Sequence, residues 1–598
     1  MTAINGTNSS NFLSGTDEAD IILGLDGDDF LVGHHGNDLL QGDEGNDTYS
    51  FNKGDGTDEI WNVNYDNSKD VVELNGVFSS AVTIYDENNS LIIKYGNTDQ
   101  VKVNRFFYPN SSIYQIDSIK FISPFNFLNS ESWSLADIAS RHNGTNNHDT
   151  LYGFNGLTNT INGLDGNDTI IGGDGNDLLN GGNGDDYIDG GNGDDKLNGG
   201  DGNDTLVFQD ATNGVNVNLL IQEATGAGND KLYGFENIVG GKFNDILIGN
   251  NKDNVISEDG FDPPVGIIAT GNDMMFGFGG NDSLYSDNGN DTLNGGSGDD
   301  YLYGGINNCV LNGNSGNDTI ADGNLSSFQL GNDLLNGGSG DDTLTSSAGN
   351  DTLIGGGGND NLYFVNGQFY RAGTMKGGAG DDNLYGWSIA GGKLDGGDGN
   401  DYIEVGIEKN TLVGGNGADT LVITHFDPMI APFQTFTLKN KIILSETTPA
   451  TDIVKITSDY AAIYRDTIVG FTVGNGVTTE GEDQLYLDST SFNTKNVASD
   501  TSGFDGVNRG IIRSHAIQDG MIMFSASNSY SNPIFLDHLN LNSVFKYLNA
   551  NLSSNGIVAF TANDNTYVFD GSVVELVGVT ATNLNTDGLS DGGIWLIP

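Results

Sequence analysis

Along much of this chain the apolar residues recur singly, nine positions apart, each in a surround of glycine, asparagine and aspartate. Residues 172 to 206 read GGDGNDLLNGGNGDDYIDGGNGDDKLNGGDGNDTL, one nine-residue phrase with small variations. Each phrase has the form Gly-Gly-x-Gly-(Asn/Asp)-Asp-x-apolar-x. Its second half, such as Asp-Thr-Leu or Asp-Tyr-Ile, predicts a very short strand with one inward apolar side chain. Its first half predicts a tight turn lined with oxygens, because glycine reaches φ values closed to other residues and, lacking Cβ, lets its carbonyl point inward. Turn plus strand, repeated, makes a coil that stacks on itself.

The last acidic residue of the phrase marks a slot, and its positions show how far the period extends. It falls on Asp168, Asp177, Asp186, Asp195 and Asp204, with Asp149 opening the same block, and on Asp20, Asp29, Asp38 and Asp47 near the start. A third block has Asp273, Asp282, Asp291, Asp300 and Asp318, with Cys309 in one slot. A fourth has Asp333, Asp342, Asp351 and Asp360, followed after interruptions by Asp382, Asp401 and Asp419. Asp230 and Asp245 persist where the period breaks. Stacked coils would bring these carboxylates into columns about one strand spacing apart (~4.8 Å), which is unfavourable unless positive charge is supplied. Carboxylate and backbone carbonyl oxygens are hard ligands that suit Ca²⁺ better than zinc or copper. All of these aspartates are therefore candidate ligands for many calcium ions. Asn159 and Asn410 put a weaker amide oxygen in the slot and Cys309 no hard oxygen at all, so those sites are expected to be weak or empty.

The charge balance agrees. With 82 acidic and 23 basic side chains the 598-residue chain carries a formal charge of −59, which would push a compact fold apart unless cations neutralise part of it. Nucleic acid and anionic membrane would be repelled. A disordered acidic chain fits poorly, since 36% of residues are hydrophobic, 9% are aromatic and the apolar positions are periodic. The single cysteine excludes an internal disulfide framework. The N-terminus lacks the basic head and apolar run of a cleavable signal, and no apolar stretch reaches the ~20 residues of a transmembrane span.

The phrase is similar to the repeat of the RTX, or haemolysin-type calcium-binding, family. The resemblance implies an all-β chain built as a parallel β-roll, or β-solenoid, with two nonapeptides per coil, one strand on each face, and the sixth-position aspartate binding calcium together with turn carbonyls. On this reading residues 1–48 are a first repeat block. Residues 49–141, with alternating runs such as VTIYDENNSLIIKY, resemble the haemolysin-type calcium-binding-related β-domain placed between such blocks; Trp133 and Leu135 are expected to pack at its end, and DENNS to be a hairpin loop. A second roll spans 142–208, irregular repeats and a proline-containing loop 209–270, and an interrupted roll 271–420. Residues 421–598 resemble the C-terminal, β-rich segments of secreted RTX proteins, including calcium-dependent bacterial surface-layer proteins. In that family the uncleaved C-terminus is the type I secretion signal, so the secretion machinery is an expected partner during export.

Some RTX proteins are proteases, lipases or epimerases, yet no His-Glu-x-x-His occurs here. Acidic doublets such as Asp185 and Asp186 lie on a repeating column rather than in a cleft with two different environments. The expectation is a non-enzymatic, secreted, calcium-binding structural protein of the bacterial cell surface or matrix, self-associating into a layer, sheath or filament. One alternative is a carbohydrate-binding adhesin using Phe369, Tyr370, Arg371 and Trp387, with surface polysaccharide as partner. Another is a secreted hydrolase or toxin whose catalytic site is unrecognised.

Overall fold

The computed structural model describes residues 2–425 except 67, 97, 109–113, 123–130, 259–270, 324–330, 348, 366–371, 388–390 and 407–408. Beyond 425 it describes 440–444, 452–458 and the strands Arg465–Val469, Gln484–Asp488, Thr501–Gly503, Ser514–Gln518, Met521–Ser525, Val558–Ala562, Asn565–Phe569, Val573–Val577, Asn583–Thr586 and Gly593–Ile597. Phe369, Tyr370 and Arg371 lie outside the described residues. The chain divides into two units, 1–278 and 279–598.

The first unit is a parallel β-solenoid in which each coil gives one short strand to each of two sheets. Ile161 pairs with Leu179 and Leu179 with Leu197 on one sheet, while Ile170 pairs with Ile188 and Ile188 with Leu206 on the other. All six are fully buried. The inward residue is the phrase's single apolar position, so each coil adds two large apolar side chains to a narrow core, each worth about 1.5–3 kcal/mol on burial. Gly182 and Gly184 hold φ of +121° and +128° at the turn, where an L side chain would be strained.

The segment 49–141 shares both sheets with the block before it. Thr57–Ile60 follows Leu39–Gln41 in parallel, and Val71–Asn75 follows Thr48–Asn52. One sheet ends in an antiparallel hairpin, Thr83–Asp86 with Leu91–Lys94, turned by Asn88 and Asn89 at φ of +55° and +60°. These are the two left-handed residues of a type I′ turn, so DENNS is the expected loop. Trp133 is buried and Leu135 packs against the same core. Between Leu197 and Leu232, which pair in parallel, an antiparallel excursion of Asn216–Asn218 and Glu223–Thr225 is inserted.

The second unit repeats the architecture. Leu293, Leu311, Leu335, Leu353, Met375, Leu394 and Leu412 line the core from one sheet, and Leu284, Leu302, Ile320, Leu344, Leu362, Leu384 and Ile403 from the other, all fully buried. Parallel pairing continues past the last nonapeptide. Thr420–His425 pairs with Ile453–Ser458, and that strand pairs with Gln484–Asp488. Further on, Val558–Ala562 and Asn565–Phe569 form an antiparallel pair.

Candidate metal centre

The sixth and eighth positions of a phrase lie two residues apart on one strand and so face the same way. The geometry that buries Ile188 therefore buries Asp186, which is 2% exposed. Its Oδ1 accepts the Asp168 backbone N–H of the preceding coil at 2.7 Å, and Asp204 Oδ1 accepts the Asp186 N–H at 2.9 Å. The same clasp joins Asp20 to Asp38, Asp29 to Asp47, Asp177 to Asp195 and Asp195 to Asp230. Asp149 donates to Asp168, and Asp273 accepts from Asp245. In the second unit it runs from Asp282 through Asp300, Asp318, Asp342, Asp360, Asp382 and Asp401 to Asp419. Elsewhere in that unit Asp333 accepts from Cys309, Asp351 accepts from Asp333, and the Asp291 carbonyl receives the Val310 N–H. Every aspartate named from the sequence thus occupies its slot.

The second carboxylate oxygen sets these residues apart. In Asp29, Asp38, Asp47, Asp168, Asp177, Asp186, Asp195, Asp204, Asp230, Asp300, Asp318, Asp342, Asp360, Asp382 and Asp401, Oδ2 is buried and makes no hydrogen bond. A buried anionic oxygen without a partner is costly, and charged neighbours increase the cost. A methyl group on Gly172 would lie 2.6 Å from Asp177 Oδ2 and 2.6 Å from the Gly190 carbonyl oxygen of the next coil. The first glycine is thus required because a carboxylate oxygen and a carbonyl oxygen converge where its Cβ would stand. This hard-oxygen cradle fits Ca²⁺.

Electrostatics points the same way. Burial pushes the Asp186 carboxyl up to about 7, opposed by the Asp168 N–H and reinforced by Asp204 and Asp168. Burial likewise raises Asp195, Asp300, Asp342 and Asp382 to about 7, and Asp47 to about 8. A cation beside Oδ2 would restore the charged form.

Some slots differ. Asp20 Oδ2 accepts the Thr16 N–H at 2.7 Å and its hydroxyl at 2.8 Å, which holds that carboxyl down at about 2. Asp149 Oδ2 is engaged in the same way by Thr145, and Asp245 Oδ2 by the Gly241 N–H. Asn159 donates its amide N–H to Asp177 Oδ1 at 2.9 Å and to the Gly172 carbonyl at 3.3 Å, so a donor stands where the aspartate slots present Oδ2. The Cys309 thiol turns to the Gly304 carbonyl at 2.9 Å. Asp322, at a first-glycine position, brings its carboxylate within 4.8 Å of those of Asp333 and Asp351.

Several slot residues escape the nine-residue period. Asp58 accepts from Asp38, Asp70 from Asp47, Glu236 from Asp204 and Asp452 from Asp419, over separations of 20, 23, 32 and 33 residues. Each stands two before an apolar residue, Ile60, Val72, Ile238 and Val454, and that triplet is the local signal that finds them.

Comparison with known proteins agrees with this geometry. The RTX calcium-binding nonapeptide repeat family matches residues 5–58, 155–206, 269–320, 330–362, 372–388 and 393–422. No curated protein matches the chain. Among the solved structures that match is the crystal structure of the extracellular lipase LipA from Serratia marcescens, at 16% identity and a TM-score of 0.12. The match covers 43% of this chain and 34% of that one, so the chain spans about a third of that protein's length. At this similarity it bears on neither activity nor substrate. The segments that match the RTX calcium-binding nonapeptide repeat model are wound as parallel β-rolls.

Proposed function

We propose that this is a secreted structural protein of the bacterial cell surface, whose rolls are folded by calcium and which self-associates into a layer, sheath or filament. The observation that carries the reading is the column of buried Oδ2 atoms without hydrogen-bond partners, which at Asp168, Asp177, Asp186, Asp342, Asp360, Asp382 and Asp401 converge with a glycine carbonyl of the next coil. Asp177, Asp186 and their equivalents would hold the ions with those carbonyls. Bound calcium supplies the positive charge that lets the carboxylates stay ionised and buried. The residues themselves set the spacing: Oδ1 is fixed to the preceding coil, so Oδ2 has one direction left.

Export by the type I route is supported by the repeats, since RTX proteins are typically secreted that way. Among the described residues no helix is long and apolar enough to cross a membrane. A compartment switch follows: where calcium is scarce the columns repel and the chain stays extended, and at roughly millimolar calcium low-affinity sites fill and binding energy becomes folding energy. A non-catalytic role is supported by the use of the slot carboxylates, each tied to the neighbouring coil's backbone rather than presented in a cleft. Electron microscopy of the purified chain in millimolar calcium is expected to show sheets or filaments that disperse in EGTA. A chain that remains monomeric would overturn the assembly part of the reading.

A further inference from the structure

The two edges of the second unit's roll are not equivalent. Along one, Asp342, Asp360, Asp382 and Asp401 follow one another, each clasping the coil before and each with Oδ2 free of hydrogen bonds. Their first-position glycines keep the cradle open: a methyl group on Gly355, Gly377 or Gly396 would lie 2.7, 2.5 or 2.6 Å from the glycine carbonyl of the next coil.

On the opposite edge the strand-start hydrogen bonds identify the slots. The Thr374 N–H donates to the Asp351 carbonyl, Lys393 to Gly373 and Thr411 to Gly392. The slot residues after Asp351 are therefore Gly373, Gly392 and Asn410, three coils without a carboxylate. The cradle is altered as well. Where the first edge has glycine, this one has Phe364 and Val405 on two of the three coils, 6% and 0% exposed, and keeps Gly386 on the third, whose slot residue is Gly392. A methyl group on Gly373 would lie 2.5 Å from Phe364 Cζ, so the ring occupies the space left beside the slot. Asn410 Oδ1 accepts the Gly392 N–H at 3.0 Å. The extra residues of the longer coils enter here too. Successive aspartates of the first edge are 22 residues apart at Asp360–Asp382 and 19 at Asp382–Asp401, yet each stays five residues after its first-position glycine.

We infer that from Phe364 onward this roll takes calcium along one edge only, through Asp360, Asp382 and Asp401, while the opposite edge has no slot carboxylate, is closed by Phe364 and Val405 on two of its three coils and carries the insertions. The inference rests on the calcium reading above and differs from a roll filled symmetrically. An apolar ring supplies neither charge nor oxygen, and the Asn410 amide supplies no charge and commits its one oxygen to the Gly392 N–H, whereas the first edge offers carboxylate and carbonyl oxygens on every coil.

The test uses the full-length chain saturated with calcium, with metal content measured after removal of free ion and an anomalous-scattering map calculated at a wavelength where calcium contributes. Peaks are expected beside Asp360, Asp382 and Asp401 and none beside Phe364 or Val405. Asp382→Asn is expected to retain fewer ions than the parent and to lose part of the calcium-induced rise in melting temperature. Asn410→Ala is expected to retain the parent's ion count, and Asn410→Asp to add none, since Val405 still fills its cradle. Peaks on both edges, or ions lost with Asn410→Ala, would overturn the inference and leave the calcium reading intact. A map without ions on either edge would overturn the calcium reading itself. If Asp382→Asn fails to fold, the parent's map decides.

Discussion

A slot aspartate does two jobs with two oxygens, and the consequences of its loss depend on which are engaged. Replacing Asp186 with alanine removes the acceptor of the buried Asp168 N–H, a loss of about 1–3 kcal/mol, and also the oxygen facing the glycine cradle. Asp20 differs: its Oδ1 serves only the part-buried Thr2 N–H and its Oδ2 is already held by Thr16. In millimolar calcium Asp186→Ala is expected to lower the melting temperature clearly more than Asp20→Ala, by calorimetry; equal shifts would contradict the proposed role of Oδ2. Gly172→Ala tests the cradle from the other side. The added methyl would crowd Asp177 Oδ2 and the Gly190 carbonyl, so a cost of about 1–3 kcal/mol and weaker calcium binding by titration calorimetry are expected.

At the scale of strand and turn, the column of raised carboxyl groups makes the metal-free roll sensitive to acid in an unusual direction. Asp168, Asp177, Asp186 and Asp195 sit at about 6 to 7 when folded and near 3.9 when unfolded. Between those values the folded roll binds more protons, so its stability is greatest below about 4 and declines as pH rises towards 7. In chelator, β-sheet circular dichroism is expected to strengthen as pH falls from 7.5 to 5; a loss over that range would refute the assignment. With calcium present the trend should reverse, because protons compete with the ion. This scale also shows what the sequence could reveal. The nine-residue spacing located the slots of the unbroken blocks, such as Asp168 to Asp204 and Asp20 to Asp47, because uniform turns keep strand and coil in phase. It missed Asp58, Asp70, Glu236 and Asp452 because inserted residues shift the count while the hydrogen-bonded register is kept. It could not show that Thr16, Thr145 and Gly241 already occupy Oδ2 of their aspartates, nor that Phe364 stands beside Gly373, since both depend on side-chain direction within a turn.

For the whole molecule, a formal charge of −59 must be reconciled with rows of interior carboxylates. Charge screening alone would act on every exposed acid, whereas ligation acts at the cradles. Removal of calcium by EGTA is expected to abolish the β-sheet circular dichroism of the rolls, and readdition to restore it, while sodium at equal ionic strength does not. Recovery in sodium would assign the effect to screening. The clasps also give the solenoid a direction. Each buried N–H in a slot looks forward to the carboxylate of the following coil, while the solvent-exposed fifth-position bonds, such as the Asp185 N–H to Asn167 Oδ1, run backward. Water can replace the exposed set but not the buried one. Shortening a roll from its front therefore strands no slot N–H, although strand-start amides such as that of Tyr187, which donates to the Asp168 carbonyl, lose their acceptor; cutting it from behind leaves the slot N–H of the new last coil unanswered. The last donor of each slot column therefore needs an acceptor supplied from outside the nonapeptides, as Asp452 serves Asp419 and Asn440 serves Asn410.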